Sequence, residues 1–219
     1  MTSTPDWIQG YGVETDMSGD KSGKQAARER FWMPPGSEKV VIFLTPGDRS
    51  PTIWEHNYNT GSSWANWLTC LSPKPCPMCE LALANDGKYA RYKVQLFTVI
   101  DTSEWQDKAG VVHKNERKVL CAKKKTVEIL ARCHLSRIEN GVSLRGAAFK
   151  VFRTKADKSP SVGEMFEFIR MVDLSSYDAD ELDYAAMFAP DPIKAANVAA
   201  TLGRDMKAVA TTPELSIKY

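Results

Sequence analysis

The chain of 219 residues is 43% apolar and 26% charged and has a formal net charge of +2, which gives enough apolar material for one sizeable core. It has no run of about 18 apolar residues, and residues 1–10 contain neither a basic n-region nor an apolar h-region, which argues against a membrane span and a secretory signal. We therefore expect a soluble cytoplasmic protein without a membrane partner, in which five cysteines stay reduced and favour a metal over disulfides.

The first third of the chain predicts a polar start followed by short strands. Residues 1–20 are polar and punctuated by glycine, and Lys21–Arg30 reads as a basic helix or arm that stops at the Pro34-Pro35-Gly36 breaker. Runs of β-branched and aromatic residues then predict strands at Lys39–Thr45, Thr52–Tyr58 and Trp64–Thr69. A turn at Asn59-Thr60-Gly61 joins the second and third of these as a hairpin.

The remainder alternates further strands with amphipathic helices. The predicted elements are a helical turn at Glu80–Asn85, a long central strand at Tyr89–Asp101, a loop at Trp105–Gly110, a strand at Lys118–Ala122, a helix at Lys123–Arg137, strands at Gly146–Thr154 and Glu164–Met171, and helices at Ala179–Phe188 and Ile193–Leu202. Four to six short aromatic strands with one interposed helix favour a mainly β fold with some α. Within that class they predict an OB-fold, a five-stranded Greek-key barrel, with a β-sandwich as the alternative.

This order of elements divides the chain into three parts. We expect a basic N-terminal arm over residues 1–30 and an OB-fold core over 31–172 with an inserted zinc subdomain at about 52–88. A helical C-terminal segment, acidic at first and then neutral, follows over residues 173–219.

The densest chemical signal lies between His56 and Cys79. His56, Cys70, Cys76 and Cys79 offer one imidazole and three thiols, and the Cys76-Pro77-Met78-Cys79 pair has the tight spacing typical of structural zinc knuckles. Four protein ligands leave no open coordination position, so the set predicts a structural Zn²⁺ without metal chemistry.

The other titratable residues give little support for catalysis. Cys121 and Cys133 with His134 are conceivable replacement ligands, but their apolar neighbours favour buried structural thiols, and His113 reads as a loop residue. Neither His113 nor His134 has an evident nucleophile partner, and no phosphate-binding glycine loop occurs. We therefore expect a protein that is not an enzyme.

Charge is distributed unevenly along the chain and predicts a polyanion as ligand. Residues 108–158 contain 14 basic and 4 acidic residues, a net +10, whereas residues 1–107 carry a net −3 and residues 159–219 a net −5. Single-stranded nucleic acids bind where cations follow the phosphates and aromatic rings stack on the bases. Residues of both kinds are interleaved here, and the candidates for nucleic-acid contact include Lys93, Lys118, Lys125, Phe152 and Arg153.

The succession of these features resembles a known family. The segments that carry the resemblance are KVVIFLT at 39–45, the His56 and cysteine set, Lys88–Tyr92 leading into Val99-Ile100-Asp101, Arg117–Leu120 with Lys123–Lys125, and Gly146–Val151 with Arg153. These segments are similar to motifs of the zinc-containing single-stranded DNA-binding, helix-destabilising proteins of tailed bacteriophages, T-even replication type. The resemblance covers about residues 31–171. Unlike that family, the chain does not end in an acidic stretch.

The resemblance implies an OB fold with a zinc subdomain that coats single-stranded DNA during replication, recombination and repair in the cytoplasm of a bacterial host. It assigns zinc binding to His56, Cys70, Cys76 and Cys79. By motif position it assigns contact with DNA to Tyr89, Arg91, Tyr92, Lys123, Lys124, Phe149 and Lys150. Further partners would be other copies of the chain along the strand, through the basic arm, and replication or transcription proteins.

Two other functions stay open at this point. One is a phage transcription factor that acts on single-stranded promoter DNA or on RNA polymerase, and the other is a zinc-stabilised protein interaction module.

Overall fold

A computed structural model describes residues 6, 7, 9, 29–59, 66–107, 109–138, 143–156 and 159–210, with only the backbone for 134–138 and 205–210. Most of the predicted basic arm, the Asn59-Thr60-Gly61 turn beyond Asn59, the His134 side chain and the chain after residue 210 lie outside the described residues.

Strands outnumber helices. The strands are β1 Glu38–Phe43, β2 Thr52–Tyr58, β3 Asn66–Thr69, β4 Tyr92–Asp101, β5 Trp105–Gln106, β6 Val112–His113, β7 Glu116–Ala122, β8 Ala147–Phe152 and β9 Met165–Met171. The helices are α1 Pro77–Leu83, α2 Lys124–Ile138, α3 Tyr184–Met187 and α4 Pro192–Ala210, with a short 3-10 helix at Gly47–Arg49. None of these helices, within the described part of the chain, combines the length and apolarity needed to cross a bilayer.

Seven strands form one antiparallel sheet in the order β3-β2-β4-β1-β8-β9, and β7 pairs with β4 beside this path. The prediction of a mainly β fold with some helix is confirmed. Among the described strands, β3 and β9 end the path and do not pair with each other, so a closed Greek-key barrel is not observed.

The chain folds into two compact units. Unit 1 comprises residues 1–53 and 93–189, and unit 2 comprises residues 54–92 and 190–219. Unit 2 contains most of the predicted zinc subdomain. It also takes in residues from 190 onward, which the sequence assigned to a separate C-terminal segment.

Unit 1 is built around apolar residues that alternate along its paired strands. Phe43 on β1 is fully buried and meets the rings of Phe97 and Phe149 edge-on, at centroid distances of 5.7 and 5.5 Å. Val99 and Leu120 complete the same core. Such edge-to-face pairs add to the free energy gained by burying the rings. Cross-strand neighbours share a face of the sheet, so the alternation of the sequence specifies which side becomes this core.

The opposite side of this sheet is covered by the chain that follows β9. Sequence periodicity predicts a helix from Ala179, but α3 begins only at Tyr184. Before it the chain is held to the sheet, because the Leu182 backbone N–H donates to Thr98 Oγ1 over 3.0 Å. The helix starts where the Asp183 side chain accepts the Ala186 N–H, as expected for an N-cap.

The predicted loop at Trp105–Gly110 instead begins with β5, which pairs with β6 in a two-stranded ribbon. Its turn closes because Asp107 Oδ1 accepts the backbone N–H groups of Ala109 and Val111, each over 2.9 Å. His113 on β6 stacks on Trp105 with 4.1 Å between ring centroids.

Unit 2 combines the β2–β3 hairpin with α1 and α4. Helix α4 begins at Pro192, a residue suited to the first helical position, and Asp191 Oδ1 accepts the Lys194 N–H over 2.8 Å. Ala195 and Leu202 on α4 are buried in an apolar cluster with Leu68 of β3 and Met78 of α1, among others. The helix therefore belongs to the core of unit 2, and it extends eight residues beyond the predicted end at Leu202.

Candidate metal centre and nucleic-acid surface

The β2–β3 hairpin delivers the first two members of the cysteine and histidine set. His56 on β2 pairs with Leu68 on β3, and the Cys70 N–H donates to the Trp54 carbonyl over 2.8 Å. Residues two apart in a strand share a face, so this register puts the side chains of His56 and Cys70 on the same side of the hairpin.

The start of α1 delivers the other two. Cys76 lies in an extended conformation just before the helix, and its carbonyl accepts the N–H groups of Cys79 and Glu80 over 2.9 and 3.1 Å. Pro77 occupies the first helical position, where its missing N–H costs nothing. The resulting tight turn brings the two sulfur atoms to one side of the helix start.

The four donor atoms converge into one buried cluster. They all lie within 4.8 Å of one another, and the residues are buried except Cys79, which is half-buried. Cys70 Sγ is 3.5 Å from Cys79 Sγ, and His56 Nε2 is 3.5 Å from Cys76 Sγ and 3.6 Å from Cys79 Sγ. This set could hold a metal ion, as the sequence predicted, and it is the single such cluster found among the described residues.

A backbone contact fixes the orientation of the imidazole. His56 Nδ1 lies 2.8 Å from the Tyr89 carbonyl oxygen and donates its proton to it, which leaves Nε2 to face the three sulfur atoms. Tyr89 adopts a φ of +67°, a left-handed conformation uncommon for an aromatic residue. This conformation also explains why β4 begins at Tyr92 rather than at the predicted Tyr89, since a strand requires a negative φ.

The thiols of the cluster shift the pKa of one another. Hydrogen bonds from the Cys70 thiol and from the backbone N–H groups of Leu71 and Cys79 lower the pKa of Cys76 to about 3, against the effect of burial. The Cys70 thiol donates to Cys76 and is itself buried, and both effects raise the pKa of Cys70. A cluster that favours a buried thiolate in this way is suited to a cation.

Arg91 lies beside the cluster and faces an aromatic ring. Its Nη1 is 3.9 Å from Cys70 Sγ, and its guanidinium carbon is 4.7 Å from the centroid of the Trp54 ring. Close by in the chain, Lys88 places its amine 5.2 Å from the centroid of the Tyr89 ring. Unit 2 therefore presents two pairs of a cation and a ring, of the kind that binds single-stranded nucleic acids.

Cys121, Cys133 and His113 are not members of the cluster found among the described residues. Cys121 on β7 and Cys133 on α2 are half-buried in unit 1. His113 contacts two carboxylates, with Nδ1 3.0 Å from Glu116 Oε1 and Nε2 3.3 Å from Asp107 Oδ2. No thiol or hydroxyl nucleophile appears among the contacts recorded for His113 in the described chain.

The twelve residues predicted to contact nucleic acid are divided between the units. Tyr89, Arg91 and Tyr92 belong to unit 2, and Lys93, Lys118, Lys123, Lys124, Lys125, Phe149, Lys150, Phe152 and Arg153 belong to unit 1. Lys93 and the lysines at 123–125 are exposed, whereas Tyr92 is half-buried with its hydroxyl 3.4 Å from Glu55 Oε2.

Several of the basic residues of unit 1 face a carboxylate of the same unit. The distance from the lysine Nζ to the glutamate Oε2 is 2.8 Å for Lys118 and Glu116, 2.9 Å for Lys150 and Glu38, and 3.5 Å for Lys125 and Glu164. A phosphate would have to compete with these carboxylates. The surplus of positive charge read from the sequence is thus partly neutralised in the fold.

The aromatic candidates of unit 1 differ in exposure. Phe149 is only 1% exposed, and its ring is part of the hydrophobic core, so it has no face on which a base could stack. Phe152 is half-buried and lies under the Lys150 amine, 5.0 Å from the centroid of its ring. We therefore leave Phe149 out of the proposed surface and keep Phe152.

Two features of the site were missed in the sequence. The Tyr89 carbonyl orients His56, and no residue pattern signals such a backbone contact. Trp32 is 49% exposed, and the guanidinium carbon of Arg153 lies 6.0 Å from the centroid of its ring. Its position between Phe31 and the Pro34-Pro35 breaker could have identified it as a ring outside any regular element.

No protein-family model matches this chain, and a search of curated proteins found no relative. Its function is therefore inferred from the residues of the site.

Proposed function

We propose that this protein is a single-stranded DNA-binding protein, without catalytic activity, that is stabilised by one structural zinc ion. The observation that carries the proposal is the position of Arg91, which combines an exposed guanidinium, an aromatic ring at 4.7 Å and a sulfur atom of the cysteine and histidine set at 3.9 Å. A basic and aromatic surface is thereby attached to a metal site that has no vacant position.

Zinc is the metal that fits this donor set best. A tetrahedral Zn²⁺ with Zn–S bonds of about 2.3 Å and a Zn–N bond of about 2.05 Å requires S···S separations of about 3.8 Å and S···N separations of about 3.6 Å. The separations of 3.5 Å between Cys70 and Cys79 and of 3.5 and 3.6 Å from His56 Nε2 are close to these values. Three thiolates and one imidazole also suit zinc in preference to hard cations such as Mg²⁺.

Contact with DNA would use exposed cations and partly exposed rings. Phosphates would be bound by Arg91 in unit 2 and by Lys93, Lys123 and Lys124 in unit 1, and bases would stack on rings such as Phe152. Base stacking on a protein ring contributes about 1–3 kcal/mol per base and does not require a particular sequence.

The proposed biological role is to coat and protect single-stranded DNA in phage replication, recombination and repair. This role is proposed from the resemblance to helix-destabilising proteins. The same resemblance leads us to propose an OB-type barrel for the core. The antiparallel pairing of β4 with both β1 and β7 supports such a barrel.

A fluorescence titration tests this function directly. The six tryptophans should change their emission when oligo-dT is added, and the affinity should fall steeply with salt, because cations bound to phosphates displace counterions. Oligo-rU and duplex DNA of equal length serve as comparisons. Binding of oligo-dT that does not depend on salt, or equal binding of duplex, would contradict the proposal.

The exposed residues of β9 favour one alternative. Met165 is 58% exposed and Ile169 is 47% exposed, and apolar side chains displayed on one strand are typical of protein contact sites. If none of the oligonucleotides changes the fluorescence, a zinc-stabilised interaction module becomes the better description.

A further inference from the structure

A groove in unit 2 lies directly beside the cysteine and histidine cluster. It has a volume of about 580 Å³, which is within the range of roughly 300–1,000 Å³ found for sites of small organic ligands. Its walls are the loop before α1, the helix itself and the loop after it, and Cys76 and Cys79 form part of them.

The charged residues of this groove favour an anion. Lys74 and Arg91 are both exposed and line it, and Glu80 is the single carboxylate among its lining residues. Within the described chain, no ion pair involves the Lys74 amine or the Arg91 guanidinium, whereas Lys118 and Lys150 of unit 1 each face a carboxylate. These two cations are therefore available to phosphate groups without first breaking an internal ion pair.

Most of the remaining lining, apart from Ser72, is apolar and suits a sugar or a base. Pro75, Ala82, Leu83 and Ala90 contribute carbon surface, and the Leu83 side chain is 85% exposed. The guanidinium of Arg91, held near Trp54 and Cys70, offers a flat face on which a base can stack. A ligand with alternating phosphates and flat apolar rings would match both halves of this lining.

We infer that this groove binds a short segment of single-stranded DNA, with Lys74 as a phosphate contact that the sequence did not identify and Leu83 as an apolar contact. This inference rests on the proposed function and assigns a place to part of the strand. It implies that the metal site and the DNA site are adjacent, because Cys76 and Cys79 belong to the cluster and also line the groove.

Charge reversal on the full-length, zinc-loaded protein tests the inference. Lys74→Glu should weaken the binding of oligo-dT roughly fivefold at low salt and should reduce the slope of log K against log salt by about 0.7, the value for one phosphate contact on a single strand. Lys194→Glu is the matched control, because Lys194 is exposed on α4 of the same unit and does not line the groove. It should leave the salt slope unchanged, and both variants should retain one zinc per chain.

Photocrosslinking provides a second measurement that does not depend on a substitution. Oligo-dT that contains 4-thiothymidine should label the peptide spanning residues 72–91. If the parent protein binds oligo-dT but Lys74→Glu binds it equally well and the label falls elsewhere, the groove is not the site and the proposed function stands. If the parent protein does not bind oligo-dT, the proposed function fails together with the inference, and a response to poly-glutamate that Lys74→Glu abolishes and Lys194→Glu does not would then identify the groove as a site for acidic peptides.

Discussion

The two units bury their side chains by different means. Unit 1 has a core of large apolar residues in which Phe43, Phe97 and Phe149 contact one another edge-on. Unit 2 has a smaller cluster, and two of its buried members, Cys70 and Cys76, are candidate metal ligands. Small cores of this kind usually need a metal or disulfides to be stable. Unit 1 is therefore stabilised by packing, and under the proposed function a metal ion would add the stability that the smaller core of unit 2 lacks.

The units also differ in how many of their cationic side chains form ion pairs with carboxylates. In unit 1, cations such as Lys118 and Lys150 face carboxylates, and Lys39 pairs with the buried Asp101. In unit 2, Lys74 and Arg91 have no such pair among the described residues. Unit 1 also exposes Lys93 and Lys124, which form no ion pair among the described residues, so the fold neutralises only part of the positive charge of this unit.

Metal removal should have the largest effect and should separate the two units. Structural zinc sites contribute apparent binding free energies of about 10–16 kcal/mol in zinc-finger peptides, which is as large as the stability of a whole domain. We therefore expect a strong chelator, or Cys76→Ser, to unfold unit 2 while β4, β1 and β8 of unit 1 stay protected. Hydrogen exchange followed by mass spectrometry on peptides from the two units measures this.

The control for metal removal is Cys121→Ser, which alters a thiol of unit 1 outside the cluster. It should leave the metal content unchanged. Protection of residues 66–91 that persists after complete and verified loss of metal would contradict the division proposed for the two units.

Truncation of a core ring should have the next largest effect. Phe43→Ala removes a fully buried ring, and such changes cost about 3–5 kcal/mol. We expect a lower midpoint of chemical denaturation and an unchanged metal content at low denaturant, since Phe43 lies in unit 1. Met165→Ala, at a residue that is 58% exposed, should cost less than about 0.5 kcal/mol. An equal effect of both substitutions would be inconsistent with a core centred on Phe43.

Removal of helix N-caps compares the two units in more detail, because each unit contains a helix whose N-cap is an aspartate. Asp191→Ala in unit 2 and Asp183→Ala in unit 1 should each cost about 1 kcal/mol. Only Asp191→Ala should accelerate transfer of the metal to a chromogenic chelator, because α4 packs in the cluster that contains Cys70 and Cys76. Identical transfer rates for the two variants would mean that α4 does not support the metal centre.

The smallest effect is expected at Glu181 and depends on pH. Burial raises the pKa of this carboxyl despite the hydrogen bond from Thr45 and the positive charges of Arg145 and Arg49. A raised pKa means that the favourable contribution of the group is present below its unfolded pKa and is lost as the pH rises through its folded value.

Glu181→Gln should therefore stabilise the protein at pH 7, by on the order of 0.5 kcal/mol, because the amide keeps an acceptor for the Thr45 hydroxyl and carries no charge. The gain should disappear as the pH approaches 4. Thermal unfolding of both proteins across this range measures the difference, and a variant that is less stable at pH 7 would show that the charged form is preferred in the fold.

Much of the fold was accessible from the sequence, because it depends on local patterns. Runs of β-branched and aromatic residues predicted β1, β2 and β8 to within a few residues, and the Cys76-x2-Cys79 spacing together with His56 and Cys70 predicted the approach of four donor atoms. The spacing is informative because a tight turn before a helix fixes the geometry of both sulfur atoms within a few residues.

The parts that were not predicted depend on contacts between distant segments. The extended path before α3 requires Thr98 as a hydrogen-bond partner for Leu182, which is far away in the sequence. The burial of Phe149 follows from its position between neighbouring strands, and the neutralisation of Lys150 depends on Glu38. The assignment of α4 to unit 2 likewise depends on tertiary packing. An amphipathic pattern shows that one face of a helix is buried, but it does not specify which part of the protein packs against that face.

The composition of unit 2 has a consequence for synthesis on the ribosome. Its four candidate metal ligands are present once residue 79 has been made, but Ala195 and Leu202 of its core come from α4, after the whole of unit 1. During translation, the hairpin and α1 therefore wait for more than a hundred further residues before their apolar cluster can close. Early capture of zinc by the nascent chain would keep these four side chains together during that interval, so the metal would act as a temporary substitute for a helix that does not yet exist.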